Sequence, residues 1–287
     1  QLVWRERGIG KAAMSKRLII NADDFGYAEG SVPAIIELYE AGIVTSTTAL
    51  VNQPHWPEAA AYLREHPGFG AGVHLVMNEG RPLLSAKRVS SLVDGDGRFR
   101  DGNALLRRYG RLRPAQLEAE WRAQIEKFVA EAGRWPDHLD LHCHYPYAFP
   151  SWFRITLKLA QEYRRVPVRM PFDDALDRKA PKLAADGGFP TWYVRWQGRR
   201  YQRMVAQYGL KRANYFESSF SLFVPDEHRT AEYLLGLLDA LPDGVTELLA
   251  HPGTEVWRDK DRRALLDPRV KARIDELGIE LIAYGDL

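Results

Sequence analysis

Apolar residues recur along this chain in two alternating rhythms. Short aliphatic or β-branched runs at 18–22, 43–51, 69–76, 138–142, 166–170, 246–250 and 279–283 read as strands, and a weaker one lies within 212–217. Between them the spacing changes to helical. Residues 114–132 place Leu117, Trp121, Ile125, Phe128 and Val129 at three- and four-residue steps, which predicts a long amphipathic helix. Further helices are predicted over 29–42, 57–66, 150–163, 192–208, 226–240 and 268–277. Pro57 suits a helix start and Gly42 a helix end. Residues 78–112, with Asp94-Gly95 and Asp96-Gly97 as turn signals, and 173–190 read as long irregular excursions.

About eight strand-then-helix units follow one another without a repeat or an evident linker. Alternation of this kind implies a parallel sheet covered by helices. Eight units predict one α/β domain, a closed or nearly closed TIM-like (β/α) barrel over 14–287, with an open doubly wound sheet as the alternative. Long structureless stretches are foreign to a minimal barrel, so both excursions are expected as functional insertions near the C-terminal face.

Composition then narrows the class. The chain has 287 residues and one cysteine, so an intramolecular disulfide is excluded. Forty Lys and Arg against 38 Asp and Glu leave a charge of +2, and no basic block points to nucleic acid. No apolar run reaches the roughly 20 residues of a membrane span. Residues 1–13 read as an extension outside the fold, and without a targeting signal the expected location is cytoplasmic. Trp192, Tyr193, Trp196 and Tyr201 form an aromatic cluster, read as core or dimer packing ahead of sugar stacking.

The polar residues carry the chemistry. Asp23 and Asp24 follow the first strand. His74 lies near the end of the third, His142 and His144 end the fourth, Arg169 ends the fifth, and His251 follows the 246–250 strand. In a (β/α) barrel these positions share the C-terminal face, where active sites are built. A carboxylate with two or three imidazoles there makes a metal site, best suited to zinc, with Fe²⁺, Mn²⁺ and other divalent ions as alternatives. The second aspartate is then free to act as a base, and His251 to give a proton to a leaving group, an outline of metal-assisted hydrolysis. Each signal also has a plainer reading: a turn or helix cap for the aspartates, a satisfied core histidine for His74, a turn for His251-Pro252-Gly253. Cys143, alternating with two histidines, is expected to face the core, and His55, His66, His138 and His228 carry no signal.

The segments LIINADDFGYAEG, TSTTALVN, GAGVHLVMNEG, HLDLHCH and ELLAHPG, in that order, resemble the YdjC-like carbohydrate deacetylases. That family includes chitooligosaccharide deacetylases and a branch associated with hopanoid lipid biosynthesis. The resemblance covers about 16–287. It implies a distorted (β/α) barrel and a metal-dependent hydrolase that removes the acetyl group from an N-acetylated amino sugar. Matched position by position, it implies Asp24, His74 and His142 as ligands of one divalent metal, zinc ahead of magnesium or manganese. It implies Asp23 as the base, His251 as the general acid and Arg169 as a substrate-side arginine. Leu141 and Pro146 depart from the family pattern, so His144 and Tyr145 are expected as local substrate contacts, with Tyr147 and Phe149 either beside them as a wall or packed. The implied partners are a small carbohydrate or glycolipid and a second copy in a homodimer. Hydrolysis of another amide or a phosphoester, or sugar binding without catalysis, are the rival readings.

Overall fold

The computed structural model describes residues 15–222 and 225–287, so the expected extension at 1–13 lies outside the described residues. The elements run β1 (Lys16–Phe25), α1 (Ser31–Glu40), β2 (Ser46–Ala49), α2 (Trp56–Glu65), β3 (Gly70–Leu75), α3 (Gly102–Arg107) and α4 (Pro114–Ala132). They continue as β4 (Leu139–Leu141), α5 (Pro150–Glu162), α6 (Leu176–Gly187), α7 (Thr191–Gln207), β5 (Tyr215–Glu217) and α8 (Ser219–Leu222). The last are α9 (Ala231–Asp239), β6 (Gly244–Ala250), α10 (Val256–Leu266), α11 (Pro268–Glu276) and β7 (Glu280–Leu281).

All strand pairings are parallel, in the order β4-β3-β2-β1-β6-β5, with β7 beside β1. Beyond β4 the wall continues through 166–170: Leu139 N donates to Pro167 O at 3.0 Å, and Arg169 N donates to Leu139 O at 3.2 Å. Val168 N in turn donates to Lys211 O at 3.0 Å, which joins this segment to the approach to β5. The sheet is therefore curled. In a flat sheet Arg169 and Glu247 of β6 would stand five strand spacings apart, roughly 24 Å. Instead Arg169 Nε donates to Glu247 Oε1 at 2.7 Å.

Alternation along β1 builds the layers. Leu18, Ile20 and Ala22 face the helices and join the main core, while Ile19 packs inside with Ala213, Val245, Ile282 and Tyr284. Above that apolar floor the inward positions become polar. Gly72 makes room there: a Cβ on it would lie 2.4 Å from His138 Cε1. The His138 ring lies in that space, stacked on Tyr284 at 4.0 Å between centroids. Outside the barrel, Leu117, Trp121, Ile125 and Phe128 of α4 are buried along the predicted stripe. Each such side chain contributes about 1.5–3 kcal/mol on burial. Trp121 also donates its indole N–H to Val76 O, so Trp121→Ala is the single change most damaging to this helix.

Four details differ from the sequence reading. The barrel wall has fewer strands than eight units require, because 166–170 holds only a bridge at Val168 and β7 pairs with just two residues at the base of β1. Residues 173–190 are largely helix (α6), with Pro181 inside it. Helix 226–240 starts late, at Ala231, because Thr230 caps it by accepting from Tyr233 N. Helix α10 was not anticipated at all. The 78–112 excursion contains α3 and is otherwise irregular, pinned to α4 where the buried Glu120 carboxylate accepts from Leu83 N and Leu84 N. No helix among the described residues is long and apolar enough to cross a membrane.

Candidate metal centre

A local irregularity in β1 builds the site. In a regular strand, neighbouring aspartates would point to opposite faces. Here the pairing of β1 with β2 shifts register between Ala22 and Phe25, and Asp24 takes a left-handed φ of 71°. That bulge turns both carboxylates inward, 3.7 Å each from His74 Nε2. Backbone of this kind is costly in a non-glycine residue and clusters at functional sites.

Asp24, His74 and His142 offer three atoms within 4.8 Å of one another. Asp24 Oδ1 lies 3.7 Å from His74 Nε2 and 3.5 Å from His142 Nδ1. Tetrahedral ligands at 2.1 Å from a metal stand roughly 3.4 Å apart, so the spacing fits. Asp24 Oδ1 is buried with no hydrogen-bond partner, as a ligand atom awaiting a cation would be. Each of the three residues is held at its other end. Asp140 Oδ1 takes His74 Nδ1 at 2.8 Å, Glu79 Oε2 takes His142 Nε2 at 3.0 Å, and Arg258 donates to Asp24 Oδ2 at 2.5 Å. Partners of this sort set ring tautomer and orientation, leaving the inner atoms free. They also close a circuit, because Tyr27 donates to Glu79 Oε1 at 2.6 Å and its ring lies 5.0 Å from the Arg258 guanidinium.

Burial opposes the Asp24 carboxylate, yet His142, His251 and Arg258 outweigh it and hold its pKa well below the usual range. Burial likewise opposes the charged form of His142, but the nearby Asp24, Cys143 and Glu79 raise its pKa well above normal. A second cluster, Asp23 with His74 and Asp140, already holds a cation. Arg169 Nη1 and Nη2 grip Asp23 in a fork, both at 2.7 Å, and Arg169 lies 2.8 Å from Asp140 and 2.7 Å from Glu247. With a guanidinium among its carboxylates, that cluster has no need of a metal cation. Arg169, expected on the substrate side, is 4% exposed and wholly committed to these carboxylates.

His251 lies after β6. Its Nδ1 is 2.8 Å from Ser221 Oγ, which donates to Asp261 Oδ2, and its own backbone N–H donates to the same oxygen at 2.9 Å. Burial holds the His251 pKa below the ordinary range. The Ser221–Asp261 chain fixes the ring orientation, in the manner of a catalytic triad's orienting carboxylate.

The expected set thus divides. Asp23, Asp24, His74 and His142 come together, Arg169 lies beneath them, and the charges of Asp23 and Asp24 reach His251. His144 is exposed and lies outside the ligand group, and the side chain of Tyr145 lies outside the described residues. Tyr147 packs inward, accepting at its carbonyl from Tyr201 Oη at 2.8 Å, and Phe149 stacks on Tyr109 at 3.6 Å. Cys143 is a correction. It is exposed, at φ 64°, because β4 ends at Leu141 and alternation no longer applies beyond it. Glu79, Asp140, Glu247, Arg258, Ser221 and Asp261 were not anticipated. Asp140 and Glu247 carried a signal: Asp140 shares the face of His138 and His142 in the alternation of the fourth strand, and Glu247 lies an even step before His251 in the 246–250 strand.

Fold and site together define a barrel with a carboxylate–histidine cluster that could hold a metal ion at its C-terminal mouth. A model of the YdjC-like protein family matches residues 17–276, and the chain belongs to that family. It is 31% identical over 286 residues to a carbohydrate deacetylase of Geobacillus stearothermophilus, covering 95% of this chain and 98% of the relative. It is 44% identical over 168 residues to a carbohydrate deacetylase of Brevibacillus brevis, a match spanning 58% of this chain and 64% of that relative. Among solved structures, a candidate cellobiose-phosphate cleavage protein of Enterococcus faecalis V583 superposes with a TM-score of 0.76 at 28% identity, covering 95% of this chain and 98% of that one.

Proposed function

We propose that the chain is a metal-dependent carbohydrate deacetylase that hydrolyses the N-acetyl group of an amino sugar to free amine and acetate. Family membership and the relatives' activity support the reaction, and the orphaned, buried Asp24 Oδ1 facing two imidazole nitrogens carries the metal dependence. Asp24, His74 and His142 hold one divalent ion, zinc by the chemistry of the donor set. Such an ion polarises a carbonyl and makes water acidic enough to attack near neutral pH. Asp23 takes the proton of the attacking water. Arg169 fixes its carboxylate by the two-bond fork. His251 gives a proton to the departing amine, oriented by Ser221 and Asp261. The acetylated sugar is carried free or on a glycolipid, and the resemblance adds a homodimer to the proposal.

The test is acetate release from N-acetylglucosamine oligomers by the purified chain, with metal content measured alongside. One equivalent of zinc and acetate release that stops on chelation are expected. His74→Ala should lose the metal. Metal bound without acetate release, together with phosphate release from a sugar phosphate, would transfer the site to phosphoester hydrolysis.

A further inference from the structure

The aromatic cluster noted in the sequence has no role in the site, and the structure divides it. Tyr201 is buried, but Phe189, Trp192 and Trp196 are 55%, 67% and 48% exposed. Three of the eight large apolar side chains exposed among the described residues thus fall within one eight-residue stretch. They surround Tyr193, with ring centroids at 5.5, 5.9 and 6.0 Å. The stretch forms the turn and first helical turns of the α6–α7 hairpin. That hairpin has its own small core of Leu176, Ala180, Ala184 and Val194, and its helices approach closely at Gly198, where a Cβ would meet Leu176 at 2.6 Å.

The hairpin is also basic. Between 176 and 207 there are seven Lys and Arg against two Asp, a surplus of five in a chain whose whole surplus is two. Lys179 turns inward to Asp173 at 2.6 Å and to Phe216 O at 2.6 Å, which anchors α6 beside β5 near the site-bearing end of the barrel. Asp177 pairs with Arg195 and Arg199, and Arg200 lies over the Trp196 ring at 5.7 Å. Trp192, Trp196, Arg199 and Arg203 follow one another at helical steps of four, three and four, so these exposed residues share one face of α7.

We propose that the α6–α7 hairpin docks on an anionic lipid surface, with Phe189, Trp192 and Trp196 entering the headgroup layer and Arg199 and Arg203 meeting lipid phosphates. Aromatic tips flanked by cations suit that interface. Charge argues against one obvious alternative and ring geometry against the other. A second copy meeting this face symmetrically would set the same surplus of cations against itself. A flat strip for a neutral glycan would need coplanar rings, yet Phe189, Trp196 and Trp192 stand at 31°, 34° and 90° to Tyr193. The proposal is independent of the chemistry at the metal centre.

The experiment is sedimentation of the full chain with phosphatidylcholine vesicles and with vesicles containing 30% phosphatidylglycerol. At low salt the anionic vesicles should bind at least tenfold more protein, and 0.5 M NaCl should reverse most of it. The double variant Trp192→Ser, Trp196→Ser should lose at least tenfold in binding with an unchanged circular dichroism spectrum. Arg199→Glu, Arg203→Glu is the second variant, which keeps the rings and should also release the protein. Equal binding to both vesicles, binding to neither, or wild-type binding by the folded tryptophan variant overturns the proposal. A lipid-free dimer that the tryptophan variant dissolves also overturns it, and gives this face to a second copy.

Discussion

The two ends of the barrel interior are built from the same strands by the same alternation, and they differ in kind. At the floor, Ile19, Val245 and Ile282 pack around Tyr284. At the mouth, Asp23, Asp140 and Glu247 surround Arg169, and Asp24, His74 and His142 lie above them. A packed apolar floor stabilises without direction. Buried ions cost several kcal/mol each in lost hydration and are held only by excellent pairing, so the mouth is a weak source of stability. Such an arrangement is expected where pKa values and ligand atoms must be set for chemistry. The contact between the ends is Glu247, whose pKa burial raises and whose two oxygens accept from Arg169 above and the Tyr284 hydroxyl below.

Four substitutions test that division. Asp23→Asn should leave metal content unchanged and lower the rate of acetate release by about 10²–10⁴-fold. A near-normal rate would remove Asp23 from the role of base. Ile19→Ala, at the floor, should lower unfolding free energy by about 2–5 kcal/mol in denaturant titration while the folded variant keeps its metal affinity. A comparable loss of metal would mean the two ends are not separable. Glu79→Ala should weaken zinc binding by about 10–100-fold in competition with a chelator, and Glu79→Gln should recover most of it, because Gln can still accept from His142 Nε2. Tyr284→Phe probes the junction. Removing the hydroxyl leaves Glu247 short of one partner and should cost about 1–3 kcal/mol of stability. An unchanged melting temperature would show that water or a neighbour satisfies that oxygen.

How far each part was legible follows from the same contrast. Helix α4 is amphipathic with an apolar stripe, and its predicted bounds match the observed ones. Helix α10 escaped because the residues it buries are Arg258, Asp261, Ala264 and Leu265. Two of those four are ions that face the site, so its hydrophobic pattern is broken where its function lies. Helix α6 escaped for a different reason, since Pro181 sits inside it and its buried face is mostly alanine. Glu79 and Arg258 carried no signal, because neither lies on a strand and each meets its partner only across the fold: Glu79 is 63 positions from His142, and Arg258 is 234 from Asp24.

The sequence by itself determined the α/β alternation, the parallel sheet and the collection of Asp23, Asp24, His74, His142 and His251 at strand ends. These follow from local rules, the period of the side chains and the one-way direction of the strands. Only the tertiary structure decided which atoms face one another. The bulge that turns Asp24 inward, the Arg169 fork on Asp23 and the circuit through Glu79, Tyr27 and Arg258 depend on the curl of the sheet. Curl is a property of all the strands at once, set by how their twist and the covering helices pack, and no local window of residues contains it.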